Sequence, residues 1–350
     1  VALRDLADMC ATSLEPAIDR PMTGTKAPPK PRDHTTMSSS RPPLPITAVI
    51  IAYNEEIHIR RCLERLWPLV ERIVVIDSFS SDRTVEICRE LGAEVLQNPF
   101  KSHAAQFQWG LDHSKITSPW TLRMDADEYL EPELIESLFR DLAQVPQTVT
   151  ALEFRRKVYF KGKFLRWGDY YSARMIRLWR TGVGEMEQRW MDERIVMAHG
   201  ECLRYEHGDL VDENLHDIHW WIAKHNGYAT KQMIDFVNQK YNLFQIDDRI
   251  AADSNSSGSF RRFLRLKVYG NVPLYIRPIL YFLYAYFLRL GFLDGKRGFI
   301  WHFMQGFWYR ILIDVKIEEA ETFIAQHGTE AFRDKVTKEL GFADLAPSSQ

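Results

Sequence analysis

Apolar and polar positions alternate along the chain in blocks. Four runs of strand length, at 46–52, 72–77, 93–96 and 120–124, are apolar almost throughout. That is the pattern of strands buried on both faces of a sheet. Segments of helical character separate them: one running to Trp67 and closed by Pro68, one starting at Asp82, and one over 104–112. Strands spaced this way predict βαβ units and a parallel sheet. Beyond Thr150 the runs become shorter and β-like, at 151–160, 174–179 and 194–198, and 214–241 reads as one long helix. The expected fold is α/β, a mostly parallel sheet flanked by helices.

The same reading divides the chain. Residues 1–45 hold eight of the sixteen prolines and few aliphatics, too little apolar surface to offset ordering entropy, so a disordered leader is expected. A globular domain is expected over 46–245, a polar linker over 246–258, and a basic, aromatic helical region over 259–350 that ends in a polar helical tail near 318–340.

Each of three strands runs into a polar cluster: Tyr53-Asn54-Glu55 after the first, Asp77-Ser78 after the second, and Asp125-Ala126-Asp127 after the fourth. In open α/β sheets the carboxyl edge of the strands is where ligands bind. Two acids one residue apart at a strand end fall on one side of extended chain, and two hard oxygen ligands suit Mg²⁺ or Mn²⁺ on a diphosphate. The alternative for that pair is a capping acid ahead of the next helix. Asp77 either meets a base or ribose or orders the turn that follows it. Tyr53 and Asn54 either flank a nucleotide or cap the next helix. His216 and His219, with His225 and His207 nearby in sequence, suggest zinc only weakly because Trp220, Trp221 and Tyr228 interleave with them. Lys224 or His225 is a candidate phosphate contact.

Composition narrows the classes. Hydrophobic residues are 45% and charged residues 26%, an ordinary globular balance. Cys10, Cys62, Cys88 and Cys202 are scattered without metal-ligand spacing, as expected of reduced thiols. There is no GxxxxGK[ST], no GxGxxG after the first strand and no GxSxG, so ATPase, dehydrogenase and hydrolase readings lack their signatures. The formal charge of −2 is unevenly spread: residues 259–313 carry nine Lys or Arg and one acid, +8, leaving −10 for the rest. Sixteen aromatics share that segment, which points to an anionic membrane surface rather than nucleic acid.

Assembled, Ala48 to Glu56, Ile76 to Thr84 and Arg123 to Glu128 resemble a family 2 inverting glycosyltransferase of the GT-A fold, over roughly 46–228. Glu187 to Glu193 and Lys224 to Tyr228 resemble the subgroup that includes bacterial lipopolysaccharide-core β-glucosyltransferases. The resemblance implies that Tyr53 and Asp77, with Asn54 and Glu55 near them, bind the nucleoside of a nucleotide-sugar donor. It implies that Asp125 faces ribose or sugar and that Asp127 holds the metal. It further implies that Asp192 or Glu193 is the carboxylate base for an acceptor hydroxyl, with Asp192 preferred. Many members have two acids where this chain has Asp77-Ser78, and Glu-Asp where it has Asp192-Glu193.

The apolar run 278–288 has eleven residues bracketed by Arg277 and Arg289, short of the ~20 a spanning helix needs. Helices lying in the interface are therefore expected, on the cytoplasmic face of the inner membrane, where a lipid-linked or lipid A core glycan acceptor would present itself. The rivals are a sugar-phosphate nucleotidyltransferase, which wants a Gly-rich loop after the first strand, and a non-catalytic membrane scaffold of the same fold.

Overall fold

The computed structural model describes residues 41–191, 193–245 and 272–342. The leader up to residue 40, the linker 246–258, the basic residues 259–271 and Asp192 lie outside the described residues. The first half runs β1 (Leu44–Ala52), α1 (Ile59–Leu66), β2 (Val70–Asp77), α2 (Thr84–Glu90), β3 (Glu94–Gln97), α3 (His103–His113) and β4 (Trp120–Asp125). These strands lie in the order β3-β2-β1-β4, all parallel. Along β1 the side chains alternate between two cores. Ile46, Ala48, Ile50 and Ala52 pack with α1 residues such as Leu63 and Leu66, whereas Val49 and Ile51 pack with Phe107 of α3. Burial on both faces is why the run is apolar throughout. Ala52 pairs with Asp77 and Ile51 with Asp125, so the polar clusters end at one level.

The second half continues with β5 (Glu128–Leu130), α4 (Pro132–Asp141), β6 (Val149–Phe160), β7 (Lys163–Phe164), β8 (Arg174–Arg180), β9 (Gly184–Met186), β10 (Ile195–Met197) and β11 (Glu201–Glu213). Here the expectation of a mostly parallel sheet is corrected. β8 is antiparallel to β4 and β6, β11 is parallel to β6, and β5 is antiparallel to β11, giving the order β4-β8-β6-β11-β5. β9 and β10 form a separate ribbon. The sheet also curls. Four strand spacings in a flat sheet would put β4 and β5 about 19 Å apart, yet only Ala126 and Asp127 join them, and three residue steps reach about 11 Å. The Asp125-Ala126-Asp127 segment is therefore the seam across which the sheet bends back on itself.

A bulge in β11 between Tyr205 and Asp209 accommodates that curl. Gly208 sits in it at φ +110, where an added Cβ would lie 2.5 Å from the backbone nitrogen of Leu134. Gly208→Ala is expected to cost about 2 kcal/mol, because both the left-handed backbone and the contact with α4 disfavour a side chain. The expected readout is a lowered unfolding midpoint.

The helix α5 (Ile218–Tyr241) starts later than expected. Asp217 caps it by accepting from the Trp220 amide at 2.9 Å, and 214–216 form an extended strap. The C-terminal region holds α6 (Ile276–Leu283), a π turn (Tyr284–Leu288), a 3-10 turn (Gly291–Asp294), α7 (Gly295–Trp301), a second π segment (His302–Trp308), α8 (Tyr309–His327) and α9 (Thr329–Leu340). The expected single tail helix breaks at Gly328, φ +87. Tyr309, Ile313, Ile317, Ala320 and Ile324 of α8 pack on Ala229, Met233, Ile234 and Val237 of α5. This is a helix stripe of three- and four-residue spacing.

Candidate active site

The loops after β1 and β2 are stitched together. Asn54, at φ +55, donates its amide to Ser80 Oγ (2.9 Å) and accepts the Ser81 amide on Oδ1 (2.8 Å). The Glu55 amide donates to Thr84 Oγ1 at 2.7 Å. A short Asx-type side chain suits a left-handed residue that must also bond locally. Asp77 is closed to solvent at 0% exposure. Its carboxylate accepts from the Ser80 amide and hydroxyl and from Gln97 Nε2 at 2.9 Å. That is the turn-ordering arrangement for Asp77. Tyr53, by contrast, is exposed at the rim, as is Phe79.

Asp125 and Asp127 lie at the seam among further acids and the cations that pair with them. Arg177 of β8 reaches Asp125 Oδ2 at 3.1 Å and Glu128 Oε1 at 2.5 Å, and Glu128 Oε2 accepts the Asp125 amide at 2.9 Å. Burial opposes ionisation of Asp125, but Arg177, Arg123 and His103 outweigh it and hold the carboxyl below the usual range. Burial pushes Glu128 up, with the Asp125 and Asp212 carboxylates adding to it against Arg177. Asp212 is likewise raised, to about 6, chiefly by burial and, against Arg156, by Asp127 and Asp125. Two oxygens suit a cation. Asp125 Oδ1 is buried without a hydrogen bond, its nearest cation Arg123 Nε being 3.7 Å away. The Asp127 carboxylate accepts only from the neutral Asn214 Nδ2, at 3.0 Å, among the described residues. Clustered hard carboxylate oxygens, one of them orphaned, are a donor set fit for Mg²⁺ or Mn²⁺.

Asn214 belongs to the strap after β11, and α1 fastens that strap. Arg61 donates to the Asp127 carbonyl (3.1 Å), the Glu213 carboxylate (2.7 Å) and the Glu213 carbonyl (2.6 Å). His58, fully buried, accepts the Leu215 amide on Nε2 at 2.8 Å, which fixes the proton on Nδ1 for donation to Glu55 Oε2 at 2.5 Å. Glu55, His58 and His216 bring ligand atoms within 4.8 Å of one another. With both His58 nitrogens engaged, however, a cation there would have to break one of two buried hydrogen bonds. Glu55 and His58 form a positioning relay to the strap, and the zinc suggestion from the histidine spacing gains nothing from it.

Of the two expected base candidates, Asp192 lies outside the described residues. Glu193 Oε1 is 3.4 Å from His103 Nδ1 on α3. Burial lowers the His103 pKa, assisted by Arg123 and Lys224 and opposed by Glu193 and Asp125. Lys224 is raised despite burial by Tyr228, Asp127 and Glu55, while Lys231 is lowered by burial against the pull of Glu193. Lys224 thus faces the acids of the seam. His225 instead bonds the Trp221 carbonyl at 2.8 Å and stacks on the Trp221 ring, so of the two phosphate candidates only Lys224 is turned to the site.

The structure brings Tyr53, Asn54, Glu55, Asp77, Asp125, Asp127 and Glu193 to one edge of the sheet. Sequence reasoning missed Arg177, Glu128, Arg123, His103, Asp212 and the His58–Arg61 fastening. Arg177 carried a signal: it interrupts the otherwise apolar Met175-Ile176-Leu178-Trp179, and a cation in a buried strand needs a carboxylate partner.

The family model described as Glycosyl transferase family 2 matches residues 47–205. The chain is 27% identical over 290 residues to lipopolysaccharide core biosynthesis glycosyltransferase LpsC of Rhizobium meliloti (strain 1021), covering 81% of this chain and 96% of that protein. It is 25% identical over 268 residues to an uncharacterized glycosyltransferase of Rickettsia bellii (strain RML369-C), covering 73% and 80%. Among solved structures, mannosyltransferase PcManGT from Pyrobaculum calidifontis, in complex with GDP-Man and Mn²⁺, aligns at 14% identity over 80% of this chain and 90% of that one, TM-score 0.45. Residues 47–205 thus match the glycosyl transferase family 2 model, and both relatives named above, aligned along most of the chain, are glycosyltransferases.

Proposed function

We propose that the protein is a metal-assisted, inverting glycosyltransferase. It would move a sugar from a nucleotide-diphosphate donor, a UDP-sugar first, to a hydroxyl of a lipid-linked or lipopolysaccharide-core glycan. The observation that carries this reading is the convergence of Asp125, Asp127 and Glu193, from separate stretches of chain, around His103, Lys224 and Tyr228. Likeness to LpsC along nearly its whole length supports the acceptor class. Asp127, with Asp125, would hold Mg²⁺ or Mn²⁺, which when bound supplies Lewis-acid stabilisation of the departing diphosphate.

The chain's own residues do the rest. Tyr53 offers a ring face to the base, Asn54 and Asp77 keep the two edge loops in place beneath the nucleoside, and Lys224 offers a cation to the phosphates. Asp192 or Glu193 takes the proton of the acceptor hydroxyl, whose oxygen attacks C1 as the C1–O bond to diphosphate breaks, inverting the anomeric centre. The reaction is assigned to the cytoplasmic face of the inner membrane, with the enzyme peripheral on an anionic surface.

The test is a thermal-shift titration against UDP, GDP, dTDP and CDP, each with Mn²⁺ and with EDTA. A ligand specific to the folded state raises the midpoint, so one nucleotide should shift it in Mn²⁺ alone. No shift with any nucleotide would sink the donor site. For the base, Asp192→Asn and Glu193→Gln are compared. The true base should lose roughly 10²–10⁴-fold in kcat with nucleotide binding kept, and the other variant should stay within about tenfold of wild type. If both do, neither residue is the base.

A further inference from the structure

Leu288 is the most exposed large apolar side chain among the described residues, at 75%. It ends an outward-facing stripe on α6 and its π extension: Ile276, Ile279, Leu280, Leu283, Phe287 and Leu288, three or four residues apart as on one face of a helix. The polarity of this helix is inverted. On its inner side Arg277, 3% exposed, pairs with Asp314 of α8, 1% exposed, through Nε at 2.8 Å. A soluble amphipathic helix turns its aliphatics to the core and its cations to water, and this one does the reverse. After a left-handed Leu290 the chain turns by 69°, and Phe292, Leu293, Phe299 and Phe303 extend the exposed apolar surface. Asp294 at the turn is buried and accepts the Arg166 and Trp167 amides at 3.2 and 3.0 Å, which locks the bend onto the sheet domain.

We propose that this bent hairpin, residues 276–303, inserts into one leaflet of an anionic bilayer, with Leu288 at the leading end. The inference rests on the membrane-side part of the function proposed above and names its surface and lipid class. Length sets the depth: the rod Ile276–Leu288 is about 20 Å long at ~1.5 Å per residue, short of the ~30 Å hydrocarbon core. No single described helix is long and apolar enough to cross a membrane. Charge chooses lipid over a second copy of the chain. Lys296 and Arg297 are exposed beside the patch, Arg289 there pairs with Asp169 at 3.0 Å, and the one acid between residues 276 and 303, Asp294, is buried. A self-complementary contact would bring those cations together without counter-charge, whereas lipid phosphates would meet them.

The test is flotation of the full chain with vesicles of phosphatidylethanolamine and 30% phosphatidylglycerol, against pure phosphatidylcholine, all free of any glycan. Wild type should float with the anionic vesicles. Leu288→Asp and Leu280→Asp, both at exposed sites, should reduce partitioning at least tenfold, while Leu340→Asp, exposed on α9, should not. Lys296→Glu with Arg297→Glu should erase the preference for phosphatidylglycerol. To read depth, a polarity-sensitive dye is placed through Leu288→Cys in a chain carrying Cys10→Ser and Cys202→Ser, and its emission should move to the blue on vesicles. Wild type that stays in the soluble fraction with both vesicles overturns insertion, as does a dimer that Leu288→Asp converts to monomer, which would mean a second copy covers the face. Nucleotide-induced thermal shifts on the same preparations separate the two readings. Flotation without a nucleotide shift keeps insertion and sinks the donor site, and a shift without flotation does the opposite.

Discussion

Asp127→Asn should abolish the Mn²⁺ dependence of nucleotide binding while leaving the fold intact. The substitution keeps shape and the contact with Asn214 but removes the charge of a seam carboxylate whose only side-chain hydrogen bond among the described residues comes from a neutral amide. Losing a side chain that hydrogen-bonds a metal's ligand typically costs about 10–100-fold in affinity, so losing a ligand itself should cost at least roughly 100-fold. Transfer should fall with it. The measurement is the Mn²⁺ concentration dependence of the thermal shift with the preferred nucleotide. Unchanged Mn²⁺ dependence in the variant would move the metal away from Asp127. Asp125→Asn is a poorer probe, because Asp125 also balances Arg177 and its loss mixes ligand chemistry with electrostatic disruption.

The second large effect is structural. Arg177 is 3% exposed, Glu128 is 2% exposed, and the cation serves Asp125 as well. Removing one partner of a buried pair leaves uncompensated charge, which costs about 3–5 kcal/mol. Arg177→Met, measured in EDTA, should therefore lower the midpoint by roughly 6–20 °C at ~2–4 °C per kcal/mol. The sign with pH follows from the cited directions. In the wild type Asp125 is depressed, so its stabilisation is present above its unfolded pKa and lost as pH falls through the folded one. In Arg177→Met the largest contribution to that depression is gone and burial pushes both carboxyls up, so the variant gains on acidification. The gap should be widest near neutral pH and narrow below about pH 5, as carboxyls of ordinary pKa ~4 and above protonate. A gap constant with pH would mean that packing, not charge, sets the cost.

The parallel half of the fold was legible in the sequence because its strands are buried on both faces and its βαβ spacing is regular. Boundaries there differ by only a few residues, as where β1 begins at Leu44. The long β11 was not read as a strand. It carries Glu201, Arg204, Glu206, His207, Asp209 and Asp212, and such a half-exposed strand has no long apolar run to announce it. Its partners, not its own residues, make it a strand: the ladder to β6 and ion pairs such as Arg155 to Asp209 at 2.7 Å. The C-terminal segment was legible as basic and aromatic, but its inverted helix was not. Apolar spacing reports a stripe and cannot say whether that stripe faces core or surroundings; here the buried Arg277–Asp314 pair decides it.

By itself, the sequence determined the acid clusters and the strand ends that carry them, because strand burial and side-chain alternation are local consequences of residue order. Tertiary structure decided what surrounds those acids. Only the curled sheet sets Arg177 of β8 between Asp125 and Glu128, and only the strap after β11 brings Asn214 to Asp127. Those contacts join residues 49 to 87 positions apart. Pairing across such distances depends on how the whole sheet closes, which no short stretch of sequence specifies.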